Sequence, residues 1–329
     1  MKPMKGSMFI GLFFLFFIFS LLVSSWTGAS AADYPNRPIT LVVAYAPGGV
    51  MDLEARAYAD ALEKHLKQPV VVANKPGGAS TIGGNFVATS KPDGYTLGYL
   101  PIHTGIPEVF SYFTEAPYSS KDLRPICNVV DAITVAAVKA GGPWNSLREV
   151  VEFAKKNPGM KFGYNGKNTP PYMFAVMLDK QEKLGFVYVP FSGDSELLMS
   201  LLGDHIQFAA PIYPSVKAMV EGKKLKLLAA ASRKRLEFAP DTPTVVELGY
   251  KVPPPSPHAV YGPKGTPNEV VKIISEATGK IVEQADFRAR LNNLGTPINY
   301  QDAAAVEKYN AQLKEEIYTF FKEEGLVKK

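Results

Sequence analysis

Short apolar runs, each followed by a glycine turn and a helical pattern, constrain the fold of this chain more than any other feature. The run at 39–46, ITLVVAYA, is rich in β-branched residues and ends at the turn 47–49, PGG. The run at 69–73 precedes the glycine pair at 77–78, and Tyr95–Leu100 repeats the strand pattern. Continuous apolar runs of this length are typical of strands covered on both faces. Strands and helices joined by short glycine turns indicate a parallel α/β sheet.

The remainder of the chain predicts a second α/β lobe. An irregular stretch at 101–123, broken by prolines, is interpreted as the passage into that lobe, which we expect to begin with an apolar strand region at 126–138. The apolar run at 225–231 is expected to return to the first lobe. An amphipathic pattern at 302–324 predicts a last helix that packs on the core. The predicted limits are residues 32–101 and 229–329 for lobe 1, and residues 102–228 for lobe 2.

Residues 1–31 have the pattern of a secretory signal peptide. Lys2 and Lys5 give a positive start, residues 8–23 are almost wholly apolar, and Ala29-Ser30-Ala31 is a small-residue cleavage pattern. The alternative is an uncleaved membrane anchor, but the apolar run is short for a spanning helix of about 20 residues. We therefore predict cleavage near Ala31 and export to the periplasm.

Composition and motifs disfavour several classes of function. Without the two lysines of the signal peptide the formal net charge falls from +5 to +3, which is too small to favour nucleic acid. The single cysteine, Cys127, cannot form an internal disulfide, and its apolar neighbours favour a buried thiol over a nucleophile. His65, His205 and His258 show no metal-ligand spacing. No Ser-His-Asp, H-E-x-x-H or Cys-His motif supports an enzyme.

Two glycine loops carry the functional prediction. The loop at 46–52, APGGVMD, and the loop at 77–83, GGASTIG, each lie between a predicted strand and the helix that follows it. The first turn of a helix has N–H groups without partners and is the positive end of the helix dipole. Glycines let an anion approach such a backbone closely. In an open α/β sheet both loops lie beyond the carboxyl ends of the strands, where ligands bind.

The loop sequences favour a small anion over a phosphate or a dinucleotide. Neither loop matches G-x-x-x-x-G-K-[ST] or G-x-G-x-x-G. Micromolar affinity requires about 8 kcal/mol. About five or six hydrogen bonds to a carboxylate, worth roughly 1.5–3 kcal/mol each, supply that amount. We therefore expect neither a metal nor a cofactor.

An ordered series of short motifs extends from Tyr34 to the C-terminal part of the chain. These are YPNRPI at 34–39, APGG at 46–49, NKPG at 74–77, PDGYTL at 92–97, VPF at 189–191, LLG at 201–203, PTV at 243–245 and GTP at 265–267. In this order and spacing they resemble the solute-binding proteins of the tripartite tricarboxylate transporter family, also called Bug-type receptors. The resemblance implies a type II periplasmic-binding-protein fold, in which two α/β lobes enclose a ligand cleft. It also implies a receptor that performs no chemistry on its ligand.

The resemblance assigns ligand-binding positions in both lobes. They are Tyr45, Gly48, Gly49, Val50, Met51, Asp52, Ala79, Ser80 and Thr81 in the first lobe, and Tyr164, Asn165 and Thr169 in the second. Family members usually have threonine at the position of Met51 and serine at those of Tyr164 and Asn165. Because the glycine loops of the first lobe are otherwise present, we expect the binding of a proximal carboxylate to be retained. The changed distal positions, Tyr164 above all, favour an aromatic or less polar distal group.

Two of the polar residues keep alternative interpretations. Asp52 either binds a ligand ammonium or sits at the positive end of its helix. His103 is expected near the hinge and the cleft, where a hinge or surface role is favoured over ligand contact.

The predicted function is that of a monomeric periplasmic solute-binding protein. It captures a small organic carboxylate, aromatic or dicarboxylic, and passes it to the membrane permease subunits of a tripartite tricarboxylate-type transporter. The alternative is an orphan receptor that presents its ligand to a membrane sensor kinase. The sequence does not separate these two partners, and neither function involves nucleic acid.

Overall fold

The computed structural model describes residues 34–110, 115–167, 169–323 and 325 of the 329-residue chain. The predicted signal peptide at 1–31 and its cleavage site lie outside the described residues. The chain divides into two units, Met1–Asn36 and Arg37–Lys329, and the second unit contains both β-sheets. None of the helices in the described ranges is long and apolar enough to cross a membrane.

Strands and helices alternate over most of the second unit. The strands are β1 (Ile39–Val43), β2 (Val70–Asn74), β3 (Thr96–Pro101), β4 (Leu123–Ala132), β5 (Val135–Lys139), β6 (Lys161–Tyr164), β7 (Val187–Pro190), β8 (Phe208–Ala209), β9 (Leu225–Ala230), β10 (Ser256–Pro263) and β11 (Ile298–Gln301). The helices are α1 (Val50–Leu66), α2 (Thr81–Ala88), α3 (Ile102–Gly105), α4 (Leu147–Lys156), α5 (Pro170–Glu182), α6 (Asp194–Leu202), α7 (Tyr213–Glu221), α8 (Asn268–Ile281), α9 (Ala285–Leu294) and α10 (Ala303–Glu323).

The first sheet has the strand order β11-β4-β10-β3-β1-β2. Strand β1 pairs in parallel with β2 and β3, whereas β10 runs antiparallel to β3 and β4. Leu41, Val42 and Val43 are fully buried, which explains why the β1 run is apolar without alternation. The parallel strand–helix repeat that the sequence predicts for β1, β2 and β3 is confirmed. Because these strands are parallel, the loops after them lie at one edge of the sheet.

The second sheet has the order β7-β6-β8-β5-β9. Strand β6 is parallel to β7 and β8, and β5 is antiparallel to β8 and β9. Helices follow β6, β7 and β8 directly, so the starts of α5, α6 and α7 lie beyond the carboxyl ends of these strands. Two sheets with helices agree with the predicted fold class.

Two strand assignments made from the sequence are wrong. The apolar strand region at 126–138 does not lie wholly in the second sheet, because β4 pairs with β10 in the first sheet and only β5 lies in the second. Strand β9 does not return to the first sheet, because it pairs with β5. Apolar periodicity predicts that a run is a strand, but it does not identify the partner of that strand. The lobe limits themselves stay a prediction.

The last helix, α10, packs on the core as the amphipathic pattern predicts. Val306, Leu313 and Ile317 are buried, and Phe321 is fully buried. Leu313, Ile317 and Phe321 belong to the same apolar cluster as residues of the second sheet, such as Phe162. The C-terminal half of α10 therefore packs into the core that contains the second sheet.

Candidate ligand-binding site

A cavity of about 540 Å³ lies where segments that follow strands of both sheets meet. Seven of the twelve predicted positions line it: Tyr45, Gly48, Gly49, Val50, Met51, Asn165 and Thr169. The other five do not: Asp52, Ala79, Ser80, Thr81 and Tyr164. The structure thus brings the first glycine loop and the loop after β6 together around one space.

The first loop presents the start of α1 to the cavity. No side chain of the described residues caps this helix at Gly49. The first helical bond joins the N–H of Leu53 to the carbonyl of Gly49 at 3.0 Å, so the N–H groups of Val50 and Met51 precede the helical ladder. Val50 and Met51 line the cavity. Their donors and the positive end of a 17-residue helix favour an anion at this point.

Asp52 lies behind this loop and holds its shape. Its Oδ2 accepts hydrogen bonds from the backbone N–H of Gly48 at 2.8 Å and from Nε of Arg56 at 2.9 Å, and its Oδ1 accepts from Nδ2 of Asn74 at 2.8 Å. Burial opposes ionisation of this carboxyl, but the bonds from Arg56, Gly48 and Asn74 outweigh it and lower the pKa of Asp52. Gly48 has a φ of +84°, a conformation that favours glycine. These contacts support the structural interpretation of Asp52.

The second glycine loop is strained, and it buries the hydroxyl group of Ser80. Gly77, Gly78, Ala79 and Ser80 all have positive φ, and such a conformation costs a non-glycine residue about 1–2 kcal/mol. Ser80 is buried, and its Oγ lies 2.5 Å from Oγ1 of Thr104. Oγ1 of Thr81 donates to the carbonyl of Gly78 at 2.7 Å. Both hydroxyl groups therefore have partners within the protein, and this loop does not line the cavity.

Tyr45 and His103 form a polar contact in the cavity wall. The Tyr45 hydroxyl lies 2.9 Å from Nε2 of His103, and both residues line the cavity. His103 is 9 % exposed, and burial together with the charge of His258 lowers its pKa to about 4. A neutral ring that accepts from Tyr45 at Nε2 carries its proton on Nδ1. His103, which the sequence favoured as a hinge or surface residue, is therefore a buried, uncharged part of the cavity wall.

The second sheet contributes the starts of three helices to the cavity. Thr169 precedes α5, and its Oγ1 donates to the carbonyls of Asn165 and Gly166 at 3.2 and 2.8 Å. Asp194 begins α6 and accepts hydrogen bonds from the Asn165 amide and from the hydroxyl of Ser215 at the start of α7.

Most lining residues outside the first loop were not among the predicted ligand-binding positions. They are Pro101, Ala132, Pro170, Pro171, Ser192, Gly193, Asp194, Ser195, Leu198, Ile212, Ser215, Ser256 and His258. One local pattern could have predicted part of this lining. Ser192-Gly193 stands between strand β7 and helix α6, in the same strand–glycine–helix pattern as the first loop.

Tyr164 does not reach the cavity. It is 5 % exposed, and its ring centroid lies 4.9 Å from that of Tyr172 and 6.3 Å from that of Tyr188. The side chain is part of an aromatic cluster behind the β6 loop. The expectation that Tyr164 selects an aromatic distal group therefore has no support in its position.

The charge of the cavity wall is unusual for an anion site. No lysine or arginine of the described residues lines it. His258 is paired through Nδ1 with Oε2 of the fully buried Glu54 at 2.6 Å, and His103 is uncharged. Asp194 is the lining carboxylate, and its charge contributes to a raised pKa of Tyr45 after the larger effect of burial. Attraction for an anion must therefore come from backbone donors, helix ends and hydroxyl groups such as those of Ser192 and Ser195. Among the described residues no cluster of histidine, cysteine and acidic side chains has the geometry to hold a metal ion.

Comparison with known proteins identifies the family. The sequence model of the family described as tripartite tricarboxylate transporter family receptor matches residues 54–326. The UPF0065 protein in the gbd 5′ region of Cupriavidus necator is 31 % identical over 91 % of this chain and 91 % of its own length.

Two solved structures of the same kind share the fold. The periplasmic binding protein BugD is 28 % identical with a TM-score of 0.77, covering 90 % of this chain and 100 % of that one. A TctC solute-binding protein from Polaromonas is 29 % identical with a TM-score of 0.74, covering 88 % and 99 %. The chain therefore belongs to the tripartite tricarboxylate transporter receptor family, and it is a Bug-type periplasmic solute-binding receptor rather than an enzyme.

Proposed function

We propose that this receptor captures a small organic carboxylate in the cavity between its two sheets and delivers it to the membrane subunits of a tripartite transporter. The observation that carries this proposal is the uncapped start of α1, whose first residues line the cavity. Backbone N–H groups at a helix start are suited to bind a carboxylate, because the donors converge and the helix dipole favours negative charge.

The size of the cavity fits such a ligand. Its volume of about 540 Å³ lies within the usual range of about 300–1,000 Å³ for small-molecule sites. A compact organic acid fills it only in part, so closure of the two lobes around the ligand is part of the proposal.

Two proteins of the same fold support the chemical class of the ligand. MatC of Rhodopseudomonas palustris, 23 % identical with a TM-score of 0.74, is described with bound malate. Rpa4515 of R. palustris, 22 % identical with a TM-score of 0.79, is described with adipate. At this identity the likeness concerns the fold, and the carboxylate enters here as a proposal for the present chain.

Export completes the proposed function. A receptor that works in the periplasm requires translocation, and the pattern at residues 1–31 supplies a signal for it. Mass spectrometry of the protein from a periplasmic extract tests this point, with a mature chain that begins near Ala32 as the expected result.

Calorimetric titration of residues 32–329 tests the ligand class. The titrants are malonate, succinate, adipate and benzoate, each beside the amide in which its carboxylates are neutralised. Binding of at least one acid with a dissociation constant in the micromolar range, and of no amide, is the expected result. Tighter binding of the amides than of the acids would contradict the proposal, because the start of α1 would then not select for negative charge.

A further inference from the structure

A half-buried part of the cavity wall carries a carboxylate where an anion receptor would be expected to carry a cation. Asp194 lines the cavity as the first residue of α6. The amide of Asn165 donates to its Oδ1, and the hydroxyl of Ser215 donates to its Oδ2. Asn165 and Ser215 line the same cavity and come from two other segments. The carboxylate is therefore held in a fixed orientation by the wall itself.

The described residues do not supply a cation to neutralise this carboxylate. The lining contains neither lysine nor arginine, and His258 is already paired with Glu54. Burial raises the pKa of Asp194, and the hydrogen bonds from Ser215 and Asn165 oppose that rise without cancelling it. A positive group brought into the cavity would therefore gain a favourable partner, whereas a second negative group would meet a like charge.

The simplest structural explanation of Asp194 is that an acid stabilises the start of α6. Another residue already does this: Oε2 of Glu196 accepts from the backbone N–H of Ser192 at 3.2 Å and from its Oγ at 2.7 Å. The hydrogen bonds of Asp194, by contrast, come from side chains of other segments. The position of Asp194 in the cavity wall therefore requires a different explanation.

We propose that Asp194 binds the distal end of the ligand, and that the solute is an amino-carboxylate whose carboxylate lies at the start of α1 and whose ammonium lies at Asp194. This inference rests on the proposed function, because it takes the α1 start as the carboxylate site. Tyr45, which follows β1 beside the first loop, lines the same cavity as Asp194. An ammonium also suits the surroundings of Asp194, because the Asn165 carbonyl oxygen, Oδ1, is buried without a hydrogen-bond partner among the described residues.

Calorimetric titration with matched acids tests this inference. The probes are 4-aminobutanoate, glutarate and pentanoate, which share one carboxylate and differ at the other end in an ammonium, a carboxylate or a methyl group. The next homologues, 5-aminopentanoate, adipate and hexanoate, extend the series in length. In the unmodified protein we expect the best amino acid to bind at least tenfold more tightly than the dicarboxylate and the alkanoate of equal length.

Two variants distinguish a direct contact between Asp194 and the ligand from a general effect of an acid at the start of α6. Asp194→Asn keeps the shape of the side chain, and we expect it to lose at least tenfold in amino-acid affinity and to gain in dicarboxylate affinity. Glu196→Gln removes an acid from the same helix start outside the cavity lining, and we expect less than a twofold change.

The possible failures are distinguishable. Equal or tighter binding of dicarboxylates or alkanoates by the unmodified protein would overturn the role of Asp194 and leave carboxylate capture standing. If none of these three classes binds, and malonate, succinate, adipate and benzoate do not bind either, carboxylate capture itself is overturned. The comparison of ligands on the unmodified protein decides the matter even where the Asp194→Asn protein does not fold.

Discussion

The hydroxyl group of Tyr45 lies 2.9 Å from Nε2 of His103, and this contact joins the segment after β1 to the short helix after β3. His103 is buried, and its ring packs edge-on against Phe110 at a centroid distance of 5.9 Å. Burial and the charge of His258 hold the pKa of His103 near 4, whereas an exposed histidine titrates near about 6.5. The folded protein therefore keeps a neutral ring at a pH where the unfolded chain binds a proton.

This difference predicts an acid-sensitive contribution to stability. Between pH 6.5 and 4 the unfolded chain takes up a proton at His103 that the folded protein does not, so stability falls as the pH falls through this window. The size of the effect is about 3.5 kcal/mol at most, since each of the roughly 2.5 pH units in this window corresponds to about 1.4 kcal/mol. Urea unfolding of the unmodified protein and of His103→Gln at pH 7 and pH 4.5 measures it. The loss on acidification should be smaller in His103→Gln, and equal losses would contradict the assignment.

Replacement of Val50 by proline should weaken carboxylate binding without unfolding α1. Proline lacks the N–H, and it is tolerated at the first position of a helix. Gly49 has φ −76° and ψ 168°, an extended conformation that suits the residue before a proline. Loss of a bond to a charged group worth roughly 1.5–3 kcal/mol predicts at least about a tenfold fall in affinity. Calorimetry with the tightest acid measures this, and Val50→Ala, which keeps the N–H, is the control. Equal affinities of the two variants would exclude this N–H from the carboxylate site.

Replacement of Asp52 by asparagine should loosen the first loop. The amide cannot accept at both positions from Gly48, Arg56 and Asn74, so at least one of these donors loses its acceptor on Asp52. We expect the free energy of unfolding to fall by about 1–3 kcal/mol and the ligand affinity to fall with it. Asp60→Asn is the matched control, because Asp60 lies on the same helix in an exposed ion pair with Arg290, and such pairs contribute about 0–1 kcal/mol. Loss of stability without any loss of affinity would show that Asp52 does not position the loop for the ligand.

Replacement of Gly83 by alanine should destabilise the protein although alanine is the better helix former. A Cβ at this position in α2 would lie 2.7 Å from Cβ of Ala44 and 2.8 Å from its Cα. Such overpacking costs about 1–3 kcal/mol and would displace the segment between β1 and the first loop. Thermal unfolding measures the effect, and Ile82→Ala, an exposed neighbour on α2, is the control. A melting temperature of Gly83→Ala at or above that of the unmodified protein would mean that Ala44 can be displaced without a loss of stability.

The sequence predicts features that depend on neighbouring residues along the chain. The β1 run and the glycine turn after it are local patterns, and helix physics alone identifies Val50 and Met51 as donors. The position of β9 was not predictable in this way, because its partner β5 lies about ninety residues earlier in the chain. The inward turn of Ser80 depends on Thr104, and the orientation of Asp194 depends on Asn165 and Ser215. These contacts join residues that are distant in sequence, so no local pattern reveals them.

The use of main-chain donors at the start of α1 has a consequence for how receptors of this kind can change their solute. Every amino acid except proline carries a backbone N–H, so nearly any substitution at Val50 or Met51 leaves the anchoring donors in place. In the proposed binding mode, inherited change can then accumulate at the side-chain contacts to the solute, such as the one proposed for Asp194. One half of the site would persist through divergence while the other half is free to vary.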